Sequence, residues 1–139
     1  MDARLIFWPA VAMAVLTFVV QVRMFLTRTA EIRREHIPLR EIATSAQLYV
    51  RLKDVQAADN FRNLFELPVL FYLGIVVAYL TAQVNALTLS LAWVFVVTRI
   101  AHSAIQCTSN RVRYRFYAYV IGVWTMWIFW GALAWGLLH

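Results

Sequence analysis

Charged residues are scarce in this 139-residue chain, 14% of it against 63% hydrophobic. A chain so apolar does not stay dissolved as a compact domain, which excludes the ordinary soluble class and makes the membrane class the starting point. Cysteine is scarcer still. Cys107 is the only one, so no internal disulfide exists, and its apolar segment offers no metal-ligand spacing. It reads as a packing residue, and no metal is expected. Internal repeats, low-complexity tracts and any aromatic-plus-basic nucleic-acid module are also missing. Acidic residues number 7 against 13 Lys and Arg, for a formal net charge of +6. The expected partner is therefore an anionic lipid surface or an anionic ligand, and not a nucleic acid.

What the chain does have is long uncharged tracts. A spanning helix needs roughly 20 apolar residues at ~1.5 Å each to cross about 30 Å of hydrocarbon. Leu5–Val22, Leu67–Thr98 and Phe116–Leu138 meet or approach that length. The first is too long for a cleaved signal peptide, and Asp2 weakens the positive start such a peptide needs. The middle tract is too long for one span, and Thr81, Gln83, Asn85, Thr88 and Ser90 divide it into two helices joined by a turn. The reading is an all-α membrane protein, one four-transmembrane-helix domain over 1–139, with spans near 5–26, 61–80, 87–106 and 115–138. Pro68, one turn into the second span, is expected to kink or loosen it.

Between the spans the basic residues are unevenly placed. The first loop carries Arg28, Arg33, Arg34, Arg40, Arg51 and Lys53, and the third carries Arg111, Arg113 and Arg115. The second has none and the termini offer Arg4 alone. Loops one and three are therefore expected on the cytoplasmic side with both termini outside, and Trp8, Trp130 and Trp135 then share the outer interface. Within the first loop, alternating acids and bases read as a solvated face able to extend a helix. Short loops and the lack of a retention signal point to a bacterial inner membrane. Trp124, Trp127 and Trp130 recur at helical spacing toward lipid or a neighbouring subunit, and Gly122, Gly131 and Gly136 permit close helix contact.

Ionisable side chains within spans cost about 2.5–3.5 kcal/mol each on insertion scales, so each needs a partner or a polar cavity. Asn63 and Glu66 are three apart on the second span, as are Arg99 and His102 on the third, which puts each pair on one helical face. Counted from the span ends, Glu66 lies roughly 7 Å deep and Arg99 roughly 10 Å deep. The depths match, and a Glu66–Arg99 ion pair is expected, serving either to lock two helices or to shape a site. Arg23, Arg62, Asn63, His102, Arg111 and Arg115 gather near the same membrane boundary. Such a cluster suits a small polycarboxylate and a thiol beside an arginine that favours its thiolate. Lipid headgroups are the other reading for Arg111, Arg113 and Arg115.

Arg62-Asn63-Leu-Phe-Glu66 with Pro68 resembles the Arg-Asn-x-x-Glu and downstream proline of the second helix in the MAPEG superfamily, membrane proteins of eicosanoid and glutathione metabolism. Arg99-Ile-Ala-His102 is similar to the third-helix Arg-Ile-x-His of that family, and Asn110-Arg111 to the arginine opening its fourth helix. Gln21-Val-Arg23 also fits, and the fragments fall in order along essentially the whole chain. The resemblance implies a homotrimer with glutathione bound between subunits. By that resemblance Arg23, Arg62, Asn63, Glu66, His102 and Arg115 hold the tripeptide, Arg111 stabilises its thiolate, and Glu66–Arg99 is a family ion pair. The implied chemistry is thiolate attack on a lipophilic electrophile or reduction of a lipid hydroperoxide. The chain also departs from the pattern. Gln56 and Asp59 stand where further arginines are usual, and Gln106 where a tyrosine is common. The link from Arg99 to Arg111 is about one turn shorter, and the Asn-Pro-Glu-Asp segment of the first loop is missing.

Three function classes fit these residues. A thiol-using membrane enzyme loses thiolate formation when its arginine is removed, and a non-catalytic trimer that binds lipid or a protein partner does not. A small four-helix exporter depends on Glu66 as a proton carrier, which an Arg99 partner opposes.

Overall fold

The computed structural model describes residues 2–138. After a short 3-10 turn at Ala3–Ile6 come α1 (Phe7–Arg34), a second 3-10 turn (Leu39–Ile42), α2 (Ser45–Arg51), α3 (Gln56–Asn63), α4 (Leu67–Leu80), α5 (Ala86–Cys107) and α6 (Val112–Leu138). Together they make four rods long and apolar enough to cross a bilayer: Ala3–Arg34, Gln56–Leu80, Ala86–Cys107 and Val112–Leu138. The fold is all-α, with no strand among the described residues.

Local chemistry sets the rod ends. α1 runs about two turns past the expected end of its span and stops where His36 takes a left-handed φ of 50°. The second rod is interrupted at residues 64–66, between α3 and α4. Pro68, second residue of α4, has no N–H for the carbonyl of Leu64 and crowds it, so the turn before it opens. Polar residues end the rod at 80, as their spacing predicts. Asn85 and Thr88 then form a reciprocal capping box that starts α5, each side chain accepting the other's backbone N–H at 3.0 Å.

The helices pack as an up-and-down bundle with two chemically different ends. Phe7 meets Tyr79 at one end with ring centroids 4.8 Å apart. At the other, Arg23 and Glu31 reach Cys107 and the 53–54 segment. The core between is apolar and aromatic, with Phe71 stacked 4.8 Å from Phe95 and 6.4 Å from Phe129. Trp8, Trp124, Trp127 and Trp135 are exposed on the outside of the bundle, whereas Trp130 is half-buried against the core.

The glycines divide by what faces them. Gly122 lies against Thr98, and a Cβ on Gly74 would fall 2.6 Å from the buried Phe129 ring, while one on Gly131 would point into open space. Gly74→Ala gains about 1 kcal/mol of helix propensity but sets it against about 1–3 kcal/mol of overpacking. It is expected to lower the melting temperature in detergent, while Gly131→Ala holds or raises it. Equal shifts in the two variants would refute this account of α4–α6 packing.

Candidate functional site

The break between α3 and α4 carries Asp59, Arg62, Asn63 and Glu66 to the basic end of the bundle, where His102 and Gln106 of α5 and Arg115, Phe116 and Tyr119 of α6 meet them. Together they line a cavity of about 450 Å³, within the roughly 300–1,000 Å³ of small-molecule sites. Its wall is knit by polar contacts. Asn63 Nδ2 donates to Gln106 Oε1 at 3.3 Å, tying α3 to α5. Arg115 donates to Asn110 Oδ1 at 2.7 Å. Arg62 donates to the Tyr49 hydroxyl at 2.9 Å, its guanidinium 5.1 Å from that ring's centre. Deeper still, Asn60 joins α3 to α5 by accepting from Ser103 Oγ at 3.1 Å and donating to Cys107 Sγ at 3.3 Å.

Two buried cationic or proton-bearing groups stand at the cavity, His102 in its wall and Arg99 behind Tyr119. Arg99 is fully buried, its guanidinium 5.7 Å from the Tyr119 ring centre, and none of its three side-chain nitrogens has a hydrogen-bond partner. His102 is buried with its ring 6.1 Å from Tyr119, and its Nδ1 is also without a partner. Unpaired buried polar groups are costly. Their presence beside a polar cavity makes it the candidate functional site.

Of the residues expected to form a site, Arg62, Asn63, Glu66, His102 and Arg115 come together here. Three others do not. The expected Glu66–Arg99 ion pair is not closed in the single chain: Glu66 is exposed at the start of α4, and no nitrogen of Arg99 is hydrogen-bonded. Matching depth was not enough, because the opened turn at 64–66 breaks the helical phase that places Asn63 and Glu66 on one face. Arg23 instead donates to the carbonyl of Cys107, one of the α5 C-terminal carbonyls that have no helical partner, and lines a separate cavity with Lys53, Asp54 and Gln56. Arg111 is exposed just before α6, one turn short of the cavity that Arg115 reaches. Tyr119, Phe116 and Asp59 enter without having been expected. Their signal was available for α6, since Arg115 and Tyr119 are four apart on one face.

The MAPEG family model matches residues 6–135, nearly the whole chain. The chain belongs to the MAPEG family. No curated protein and no solved structure matches it. As a MAPEG member with four membrane-capable rods it is an integral, multi-pass membrane protein, and its large exposed apolar faces contact lipid.

Proposed function

We propose that this MAPEG protein binds glutathione, or a similar low-molecular-weight thiol, in the cavity at its basic end and directs the thiolate at a lipophilic electrophile or a lipid hydroperoxide. The observation that carries the reading is the convergence of Arg62, Asn63, Glu66, His102 and Arg115 from three rods on one cavity above an unpartnered Arg99. The donor set suits the tripeptide. Arg62 and Arg115 match its carboxylates in charge and fork geometry. Glu66 and Asp59 match its ammonium, and the amides of Asn63 and Gln106 match its peptide groups.

Cationic side chains near the sulfur favour its thiolate, which is the nucleophile. Arg115 reaches the cavity and takes that role in the single chain. Thiolate attack on an electrophilic carbon forms a C–S bond and expels the leaving group. With a hydroperoxide, two thiols supply two electrons, giving alcohol, disulfide and water. The lipophilic reactant approaches from the bilayer past Phe116.

The same reading takes the protein as a homotrimer, in which the exposed Arg111 is free to act at a neighbour's site, while Arg23 would first have to leave the Cys107 carbonyl. Its basic end faces the cytoplasm, and its short loops suit a bacterial inner membrane. Calorimetric titration of glutathione into detergent-purified protein tests the reading, with thiolate absorbance followed on the same samples. Saturable binding is expected, weakened at least about tenfold in Arg62→Ala by loss of a charge-assisted bond. Absence of binding at millimolar glutathione would remove the thiol assignment and leave the fold standing.

A further inference from the structure

A second cavity, of about 340 Å³, lies on the other side of Arg62, between α1, α2 and α3. Arg28 of α1, Arg62 of α3, Tyr49 of α2 and Ser45 at the start of α2 supply its polar wall, and Met24 and Phe61 part of its apolar wall. Among the described residues no carboxylate lines it.

Two nearby acids are engaged elsewhere. Glu41 pairs with Arg51 at 2.5 Å, and Glu31 accepts the backbone N–H groups of Lys53 and Asp54. Arg28 is half-buried and has neither a hydrogen bond nor an ion pair, and its Nε is shut off from solvent without a partner. An arginine that merely snorkelled to the surface would keep that nitrogen wet. Here a guanidinium N–H is held in a cavity wall, where leaving it unpaired is costly. The exposed Ser45 hydroxyl lies in the same wall.

We propose that this cavity binds a phosphate group at the membrane surface, supplied by a phospholipid headgroup or by a soluble phosphate ester. Two guanidinium groups and a hydroxyl are the donors that phosphate oxygens take, and arginine's fork fits them in pairs. The polarity gradient favours the phospholipid. Met24 lies one turn before Arg28 on the same face of α1, on the side of the apolar tract, so donors and apolar wall succeed one another as headgroup and acyl chain do. This proposal does not depend on the thiol reading, and the two sites share only the Arg62 wall.

The test titrates delipidated, full-length protein with phosphatidylglycerol and, separately, with glycerol phosphate, counting bound molecules by native mass spectrometry. Wild type is expected to bind one phosphatidylglycerol per chain saturably. Arg28→Gln should weaken that binding by about tenfold or more, and Arg4→Gln, exposed at the opposite end of the bundle, should leave it unchanged. Ser45→Asp places a carboxylate in the wall at a helix start where acids are favoured, so its loss of binding reports repulsion and not unfolding. Phosphatidylglycerol binding without glycerol phosphate binding names the lipid as the source, and comparable binding of both names the soluble ester. Absence of saturable binding of either probe, or binding unchanged in both Arg28→Gln and Ser45→Asp, overturns the proposal.

Discussion

Arg115→Ala is expected to lower kcat/KM for thiol conjugation roughly 100-fold, the scale of losing one donor to a developing or localised anion. Arg111→Ala should change it by less than about threefold, the scale of an exposed charge in water. The two arginines are a single helical turn apart, and the contrast between them is geometric. Arg115 is half-buried, lines the cavity and is steadied by Asn110 at 2.7 Å. Arg111 is exposed and is not among the residues that line that cavity. Asn110 itself has a left-handed φ of 45°, a conformation asparagine tolerates better than most residues. That residue thus shapes the turn and anchors the arginine together. Thiolate absorbance should fall in parallel with turnover in Arg115→Ala, and Arg115→Lys should recover part of both, keeping the charge but not the fork. A large loss in Arg111→Ala with Arg115→Ala near wild type would reverse the assignment. It would mean that the thiol's counter-charge comes from the loop before α6, across an interface with a neighbouring copy.

The rods were legible because crossing hydrocarbon imposes a length, and length survives every detail of packing. Pro68 and the polar run from Thr81 to Ser90 were legible for similar reasons, since a missing N–H and a capping box act through residues close in sequence. The site was only half legible. Sequence depth brings Arg62, Asn63, Glu66, His102 and Arg115 to one end of the bundle, but rotation about each rod decides which of them meet. All five meet, but the Glu66–Arg99 pairing was lost at the opened turn at 64–66, and Arg23 was drawn off by the free α5 carbonyl at Cys107. The acids and bases of the first loop read as a solvated face able to extend a helix, as α1 does to Arg34, but Thr44-x-x-Gln47 is also a helix-start signal. That signal is realised as the capping box of α2, which places Tyr49 against Arg62.

Glu31→Ala is expected to release that loop while leaving the four rods assembled. Glu31 is buried near the end of α1, and its carboxylate accepts from the backbone N–H of Lys53 at 2.7 Å and of Asp54 at 3.2 Å. These bonds close the chain across 22 and 23 residues, pinning the segment that follows α2 to the first rod. Hydrogen bonds to a charged group contribute about 1.5–3 kcal/mol each, so the pair holds the loop by at least about 3 kcal/mol. Amide exchange at Lys53, Asp54 and the α2 residues should therefore accelerate by about 100-fold, at roughly 1.4 kcal/mol per tenfold. Exchange in α4, α5 and α6 should stay within about twofold, because their protection comes from apolar burial that the loop does not share. Glu31→Gln keeps one acceptor oxygen and should fall between. The consequence reaches the cavities through Tyr49. Once α2 is loose, Arg62 loses the hydroxyl and ring that hold it, so glutathione affinity should fall in Glu31→Ala although Glu31 lines neither cavity. Faster exchange spread evenly over the rods would show that Glu31 supports the whole bundle. Unchanged exchange at Lys53 and Asp54 would show that the clamp contributes nothing.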